Sequence, residues 1–268
     1  GSTAQGIRQS LLKEVIVTYP QLNQQQKISS ILSAYDNLIE NNTRRIQILE
    51  EMAQRIYKKW LVDFKYPGYE NDKLVDSELG KIPEGWEVKQ LSDIAIIIDC
   101  LHSKKPEQFQ EGSNIYLHVW NIGNGGKLDL SKISYISDYD YNVWIKRIEV
   151  EGGDCIITKT GRVGAVGRIP SNIKAAIGRN IVAIRWEEYP SYLFQYLMSK
   201  HKEKEIQRLR SSGTVMESIH VAAIEKFFIQ IPSIRIIDKF EEKVGKIQTM
   251  IEILNTKNLN LRQTRDLL

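Results

Sequence analysis

The residues best suited to bind a ligand form a basic, acid-free stretch of the chain. From Cys155 to Trp186 the sequence contains no Asp and no Glu. Cations that no neighbouring acid neutralises attract phosphate, and arginine can form two hydrogen bonds with the edge of guanine. The stretch therefore favours contact with nucleic acid, although a run of charge can also be a merely solvated face. It carries the cations Lys159, Arg162, Arg168, Lys174, Arg179 and Arg185.

A glycine-bearing turn, Gly161-Arg162-Val163-Gly164, lies inside this stretch. Glycine removes the steric barrier to close approach, so the amides of such a turn can contact phosphates. Asparagine can pair with adenine as arginine does with guanine, so Arg179 and Asn180 are our candidates for reading bases. The first set of predicted DNA-binding residues is Lys159, Thr160, Arg162, Arg168, Arg179 and Asn180.

A second polar and aromatic loop runs from His118 to Asn124. We predict that Trp120 and Asn121 in this loop, together with Lys104 and Lys105 upstream, add contacts to the DNA. The alternative interpretation is that Trp120 is a hydrophobic plug beside a turn.

Motifs for catalysis are missing from the sequence. It contains no Pro-Pro dipeptide, hence no Asx-Pro-Pro-aromatic loop of amino-methyltransferases, and no Gly-x-x-x-x-Gly-Lys-Ser/Thr phosphate loop. The glycines at 161, 164 and 167 lack the spacing of a dinucleotide site. We therefore predict that the chain is not an enzyme, has no catalytic residue and needs no cofactor.

Two arrangements imitate a metal site. Asp76 with Glu87-x-Lys89 resembles the carboxylate set of a nuclease, but Asp76 falls in an expected linker and Glu87 at an expected strand start. None of the histidines has metal-ligand spacing with Cys100 or Cys155. We predict no metal site, and structural or surface roles for His102, His118, His201 and His220.

The composition is that of a folded protein. Hydrophobic residues make up 42% of the 268 residues, and 37 Lys and Arg against 33 Asp and Glu give a net charge of +4. This length suits one large domain or two modest ones, and any affinity for DNA must come from local clusters of charge. Two cysteines and the absence of an 18-residue apolar run predict a soluble, cytoplasmic protein without disulfides or a membrane partner.

The two ends of the chain repeat each other at a constant offset of 212 residues. Each copy reads as a Gly-Ser/Thr turn, a short helix, a brief apolar strand such as Val15-Ile16-Val17, a proline and a long helix. The repeat aligns Gly1-Ser2 with Gly213-Thr214, Ile7 with Ile219, Leu12 with Ile224, Val17 with Ile229, Pro20 with Pro232 and Lys27 with Lys239.

The long helices carry apolar residues at alternating spacings of four and three, which is typical of a coiled-coil seam. Asn23 with Gln26 predicts a capping box for the first helix, and Ser233 a cap for the second. The alternative is that each helix packs on a separate core. The predicted pairing residues are Ile28, Leu32, Ile39, Asn42, Ile46, Leu49, Ile56 and Trp60, and Phe240, Val244, Ile251, Leu254, Asn258 and Leu261.

One asparagine in each seam fixes the predicted register. Asn42 facing an aliphatic side chain would leave its amide unpaired, whereas Asn42 facing Asn258 pairs both amides. This predicts antiparallel helices in which the numbers of paired residues add up to 300. Trp60 then lies beside Phe240, Ile46 beside Leu254, and Tyr35 beside Arg265, whose guanidinium could stack on the ring.

Between the helices the pattern changes to short strands and glycine-rich loops, with one expected helix from Tyr192 to Arg210. The predicted fold class is α+β: a mixed α/β recognition domain attached to a long antiparallel two-helix coiled coil. The expected strands are 94–98, 115–119, 155–158 and 181–184.

The chain resembles the DNA specificity subunits of type I restriction-modification systems. The resemblance covers nearly the whole chain and rests on Lys81-Ile82-Pro83-Glu84-Gly85-Trp86-Glu87-Val88, on Leu91-Ser92-Asp93-Ile94, on Gly153-Asp154-Cys155-Ile156-Ile157 with Thr160-Gly161, and on the exit from Gly213-Thr214 to Ile231-Pro232. It implies two target recognition domains, each reading half of a split DNA sequence. Between them, two helices pair antiparallel and dock modification subunits, through which the restriction subunit joins.

The resemblance also suggests the domain organisation. We predict the tail of a preceding recognition module at 1–20, the first long helix at 21–64, a linker at 65–84, the target recognition domain at 85–232 and the second long helix at 233–268. Because only one recognition domain is present, we expect a fragment or a half-size subunit. The expected function is sequence-specific binding of double-stranded DNA; the alternative is a coiled-coil scaffold without specific recognition.

Overall fold

The computed structural model describes residues 13–209, 211–212 and 217–268. The chain forms two compact units. One contains the described residues up to Arg45 together with Asn255–Leu268, and the other contains Ile46–Leu254. The parts of the predicted repeat at 1–12 and 213–216 lie outside the described residues.

Two long helices, α1 and α6, correspond to the predicted heptad segments. The helix α1 spans Leu22–Tyr57 and α6 spans Ile234–Leu267. Their first residues are 212 positions apart, the offset of the sequence repeat. The amides of Gln24 and Gln25 donate to the carbonyl of Gln21, so α1 begins one residue before the predicted cap. Asn23 therefore lies inside the first turn of the helix.

In the smaller unit the helices run antiparallel through an asparagine pair. The Nδ2 of Asn42 donates to Oδ1 of Asn258 at 3.0 Å, and Asn258 in turn donates to Oγ1 of Thr43 at 3.3 Å. Asn258 is buried, so these bonds satisfy an amide that water does not reach. The predicted register, in which Asn42 faces Asn258, agrees with this geometry.

The far end of this helix pair differs from the expectation. Arg265 forms an ion pair with Asp36 at 2.7 Å and another with Asp266, instead of the predicted stack on Tyr35. A carboxylate within reach of the guanidinium gives charge-assisted hydrogen bonds that are stronger than a contact with an aromatic face. Ile28 is 48% exposed, because no residue of α6 has the number that would pair with it when the numbers of paired residues add up to 300.

In the larger unit the same two helices continue as an apolar seam. The rings of Trp60 and Phe240 lie 6.2 Å apart at 63°, as the register predicts. After Tyr57 the chain makes one π-helical turn, Lys58–Val62, which buries Trp60. A further cluster along this seam is formed by Ile46, Leu49, Ile247, Ile251 and Leu254.

The rest of the larger unit is a mixed α/β fold, in agreement with the predicted class. Its shorter helices are α2 (Asp138–Trp144), α3 (Pro190–Leu197), α4 (Lys200–Leu209) and α5 (Val221–Glu225). Its strands are β1 (Leu74–Ser77), β2 (Gly80–Pro83), β3 (Glu87–Gln90), β4 (Ile96–Asp99), β5 (Ile115–Leu117), β6 (Ser134–Tyr135), β7 (Cys155–Thr158), β8 (Val166–Arg168), β9 (Ala175–Ile177), β10 (Ile181–Arg185), β11 (Ser211–Ser212), β12 (Glu217–Ser218) and β13 (Phe228–Ile231).

The main sheet has the order β4-β10-β7-β8, with every neighbouring pair antiparallel. A three-stranded sheet, β6-β5-β9, contains a parallel pair, β5 with β9. The strand β13 pairs with β3, so the beginning and the end of residues 85–232, the recognition segment, lie side by side. The buried strands of the main sheet separate two apolar clusters, one of which includes residues of α1 and α6.

The expected single helix from Tyr192 to Arg210 consists of two helices. The helix α3 ends at Leu197, and Oγ of Ser199 then accepts from the amide of Lys202 in the first turn of α4. Serine favours such a capping position over a helix interior, which explains the break. Arg210 lies outside the described residues.

Two other segments differ from the expectation. The segment predicted as a linker holds the antiparallel hairpin β1–β2, and the buried ring of Tyr66 stacks on Trp86 at 5.4 Å. Val15-Ile16-Val17, predicted as a strand, is exposed and has no strand partner among the described residues. A strand needs a neighbour for its backbone groups, which Phe228–Ile231 finds in β3. Among the helices that the structure describes, none has the length and apolar character to cross a membrane.

The asparagine pair gives a test of the register. Asn42→Leu should lower the free energy of unfolding by about 1 to 3 kcal/mol, because it leaves the buried Oδ1 of Asn258 without its donor. Combining Asn42→Leu with Asn258→Leu should recover most of this loss. Urea denaturation measures both values, and Asn41→Leu, at an exposed neighbouring position, is the matched control. A double variant no more stable than the single one would contradict the pairing.

Candidate nucleic-acid interface

The strands of the two larger sheets bring several loops to one end of the recognition segment. In the main sheet Asp99, the last residue of β4, pairs with Val182 near the start of β10, and Thr158, the last of β7, pairs with Ile181. The turn from β9 to β10 follows directly, and its Gly178 donates to the carbonyl of Leu117 at the end of β5. We call this the loop end; it comprises the loops 100–109, 118–133, 159–165 and 178–180.

Most of the predicted DNA-binding residues lie at the loop end. They are far apart in sequence, and the strand pairing brings them together. The residues at this end are Lys104, Lys105, Trp120, Asn121, Lys159, Thr160, Arg162, Arg179 and Asn180.

Arg168 lies at the opposite end, which corrects its assignment. It is the last residue of β8 and pairs with Cys155, the first residue of β7. Its guanidinium forms an ion pair with Glu252 of α6, which also accepts from the hydroxyl of Ser171 at 2.7 Å. Arg168 therefore links the main sheet to α6 and lies outside the loop end.

Lys159 is held inside the protein. Its Nζ lies 2.5 Å from Oδ1 of Asp99, and its side chain is only 11% exposed. The other oxygen of Asp99 is 3.0 Å from Nε2 of His102. Burial alone would raise the pKa of Asp99, but the hydrogen bonds from Lys159 and His102 outweigh it, and the net effect lowers this pKa. The ion pair fixes the end of β7 against the end of β4.

Arg162 connects two loops. Its guanidinium donates to the carbonyls of Ile122 at 2.8 Å and Gly123 at 3.1 Å, and to Oδ1 of Asn124 at 3.0 Å. These bonds hold the glycine turn against the loop that follows β5. Arg162 therefore positions the glycine turn while its side chain stays exposed at the loop end.

The glycine turn itself needs both of its glycines. Gly161 and Gly164 have φ of 79° and 80°, which side chains disfavour. A Cβ on Gly164 would lie 2.4 Å from Cγ2 of Ile206 in α4, whereas one on Gly161 would meet no described residue within 4 Å. The turn is thus packed on α4 at Gly164. Thr160, just before it, is half-buried and bridges to Ser218.

Asn121 is a structural residue, which corrects its predicted role in base contact. It is buried, and its Oδ1 accepts from the amide of His118 at 2.8 Å. Its Nδ2 donates to the carbonyls of Asp129 at 2.9 Å and Lys132 at 3.2 Å. With its amide satisfied, Asn121 closes the short 3₁₀ turn Val119–Asn121.

Trp120, in the same turn, is 57% exposed and stacks on His118, with the ring centroids 3.7 Å apart at 13°. His118 is buried, and its Nε2 is 3.1 Å from Oε1 of Gln108. Burial and, secondarily, the nearby charge of Lys105 lower the pKa of His118 to about 4. His118 is thus a neutral ring at pH 7.

The remaining predicted residues face solvent. Arg179 donates from Nε to the carbonyl of Ser103 at 3.0 Å, and Asn180 adopts a left-handed φ of 68° while its carbonyl accepts from the amide of Lys159. Lys104 and Lys105 are exposed and form no ion pair within the described part of the chain. The exposed cations among the described residues of the loop end include Lys104, Lys105, Lys132, Arg162 and Arg179.

The loop end also brings together three groups of the kind that bind metals. Ligand atoms of Asp99, Cys100 and His102 lie within 4.8 Å of one another, a cluster that the sequence analysis missed. The ammonium of Lys159 occupies the position beside Asp99 that a cation would take, so the geometry favours the ion pair. The second arrangement that imitates a metal site is Asp76 with Glu87 and Lys89. Its Glu87 carboxylate forms an ion pair with Lys89, whose Nζ lies 2.8 Å away.

Asp99, Ser103 and Gln108 were not singled out in the sequence, although they hold Lys159, Arg179 and His118 in place. Single polar residues in loops carry no spacing signal. Their partners are 76 positions away for Ser103 and 10 for Gln108, and only the folded chain shows them.

Comparison with known sequences identifies the class of protein. The family described as "Type I restriction modification DNA specificity domain" matches residues 1–51 and 83–262. The chain therefore belongs to the type I restriction-modification DNA specificity family.

Two similar proteins are specificity subunits of type I restriction enzymes. The MjaIX specificity subunit of Methanocaldococcus jannaschii is 30% identical over all of this chain and 62% of its own length. The MjaVIII specificity subunit of the same organism is 25% identical over 92% of this chain and 58% of its own length. The chain thus spans about three fifths of the length of these relatives.

Solved structures share the fold. The S subunit of a type I restriction-modification system from M. genitalium has a TM-score of 0.61 and 16% identity, covering 99% of this chain and 65% of that one. The HsdS subunit from Thermoanaerobacter tengcongensis has a TM-score of 0.50 and 16% identity, covering 90% of this chain and 54% of that one.

The buried imidazole predicts a dependence of stability on pH. The pKa of His118 is about 4 in the folded chain and ordinarily 6.5, so between these values the unfolded chain binds a proton that the folded chain does not. His118 should therefore lower the free energy of unfolding by up to about 3 kcal/mol as the pH falls from 6.5 to 4. Urea denaturation of the wild type and of His118→Phe across this range measures the difference. An NMR titration showing a pKa near 6.5 would contradict it.

Proposed function

We propose that this chain is a DNA-reading component of a type I specificity subunit. It binds duplex DNA through the loop end, reads one half of a bipartite target and catalyses no reaction itself. The proposal rests on one observation. Exposed cations and polar groups from four separate loops lie together at one end of two sheets. Membership of the specificity family supports the same assignment.

The residues of the loop end divide into those that hold the surface and those that meet DNA. Lys159 is engaged in its ion pair with Asp99 and Arg162 donates to the carbonyl of Ile122, so both keep the loops in position. Lys104 and Lys105 contact phosphates, and contacts of this kind orient a protein on the duplex without reading sequence. Arg179 and Asn180 are exposed beside them and contact base edges.

The function also assigns a role to the helices. Specificity subunits, which this chain resembles, dock modification subunits on their paired helices. In the larger unit both helices expose apolar side chains outside the seam: Ile48 and Met52 on α1, and Met250 and Ile253 on α6. Exposed apolar residues at helical spacing are suited to a protein partner. We assign these faces to the modification subunits.

The alternative is a scaffold whose helices recruit a partner and whose loop end is merely solvated. Such a scaffold would make the same helix contacts as a specificity subunit, but the cations of its loop end would not bind DNA. The specificity function is favoured over the scaffold if the affinity for DNA falls steeply with salt and depends on the DNA sequence.

A lysine pair tests the DNA surface. Changing Lys104→Ala together with Lys105→Ala should weaken duplex binding and make the slope of log affinity against log salt shallower by about 0.9 for each lost phosphate contact. Fluorescence anisotropy at several salt concentrations measures both quantities. Lys81→Ala removes an exposed lysine outside the loop end and should leave them unchanged. Equal binding by the double variant and the wild type would remove this surface from the DNA interface.

A second pair of substitutions tests the helix surface. Ile48→Lys with Met52→Lys should abolish co-purification with the modification subunits, because it buries two charges in an apolar contact. DNA binding by the chain alone should persist. Val75→Lys, at an exposed apolar position on the β1–β2 hairpin, controls for the added charge. Unimpaired assembly of the double variant would place the docking surface elsewhere.

A further inference from the structure

A row of four aromatic rings in contact runs from the core of the recognition segment to the loop end. Trp144 and Tyr116 are buried and meet edge to face at 5.1 Å, and Tyr116 meets His118 in the same way at 4.9 Å. His118 then lies flat against Trp120, the exposed last ring of the row. The indole is therefore backed by a packed column and not by a flexible loop.

The backbone under the indole is fixed as well. The side chain of Asn121 closes the turn that carries Trp120 and ties it to the carbonyls of Asp129 and Lys132. The side chain of Gln108 lies 3.1 Å from Nε2 of His118 and holds this ring as well. Trp120 thus has little freedom to retreat into the protein, and it would lose little entropy on binding a ligand.

Cations flank this rigid apolar surface. Lys105 is close enough to His118 to influence its protonation, and Arg162 is bonded to Ile122 and Gly123, directly after the turn. A duplex attracted by the charges of the loop end would therefore bring its groove to the free face of the indole. The low pKa of His118 keeps the ring beneath Trp120 uncharged.

We propose that Trp120 reads a thymine by apolar contact with the C5-methyl group in the major groove. This inference rests on the proposed DNA-binding function. The thymine methyl is the apolar group that base pairs present in the major groove, and it meets a flat apolar side chain without any change in the duplex.

Insertion of the indole between bases is the competing mode. Unstacking a base step costs a few kcal/mol, and stacking one base on an aromatic side chain returns about 1 to 3 kcal/mol, so insertion gains little. Contact with the methyl group has no such cost. The energetics thus favour groove contact for a single exposed ring.

The test replaces each thymine of a selected target, one at a time, with deoxyuridine, which lacks the methyl group. At one position the wild-type chain should lose about fourfold in affinity, the effect of exposing one methyl-sized group. Trp120→Ala should bind more weakly and show no loss at that position, whereas Trp120→Phe should keep part of it. Tyr139→Ala removes another exposed aromatic residue and should retain the full loss.

The outcomes separate this inference from the proposed function. The inference would be overturned, and the function left in place, if the chain bound DNA sequence-specifically but no thymine showed a methyl effect that depends on Trp120. A rise in 2-aminopurine fluorescence on binding that Trp120→Ala abolishes would have the same consequence, since it would show insertion. Absence of sequence-specific binding would overturn the proposed function and the inference together.

Discussion

The position of the loop end depends on the pairing of one strand, β10. This strand pairs antiparallel with β4 on one side and β7 on the other, and it is fully buried over Ile181–Ile184. Because the register sets the end of both neighbours beside the start of β10, the loops that follow them must emerge together. A shift of one residue would turn the apolar side chains of β10 away from their clusters and separate the loops.

Charge at this end serves two purposes that the sequence does not distinguish. Lys159 fastens the loops through an ion pair and the exposed Arg162 through hydrogen bonds to loop carbonyls, while Lys104 and Lys105 are exposed without an ion pair in the described part of the chain. A recognition surface benefits from this division, because loops that are already ordered lose less entropy when DNA binds. The interface we propose is thus preorganised by some of the cations and charged by others.

The sequence predicts the periodic features well and the loop contacts poorly. The seam of α1 and α6, including Asn42 opposite Asn258, follows from heptad spacing and from the cost of an unpaired amide. The strand β7 was predicted at its observed bounds, since a short apolar run between glycine-rich turns is a strong local signal. The roles of Arg168 and Asn121 could not be predicted, because they depend on Glu252 and on carbonyls that only tertiary packing brings near.

The central claim is that this chain chooses among DNA sequences through one surface. Selection of bound duplexes from a random library by the purified chain, followed by sequencing, tests it most directly. We expect enrichment of one short, uninterrupted block of sequence, which corresponds to half of a bipartite target. Retention of duplexes without enrichment of any sequence would contradict it, because phosphate contacts alone explain such binding.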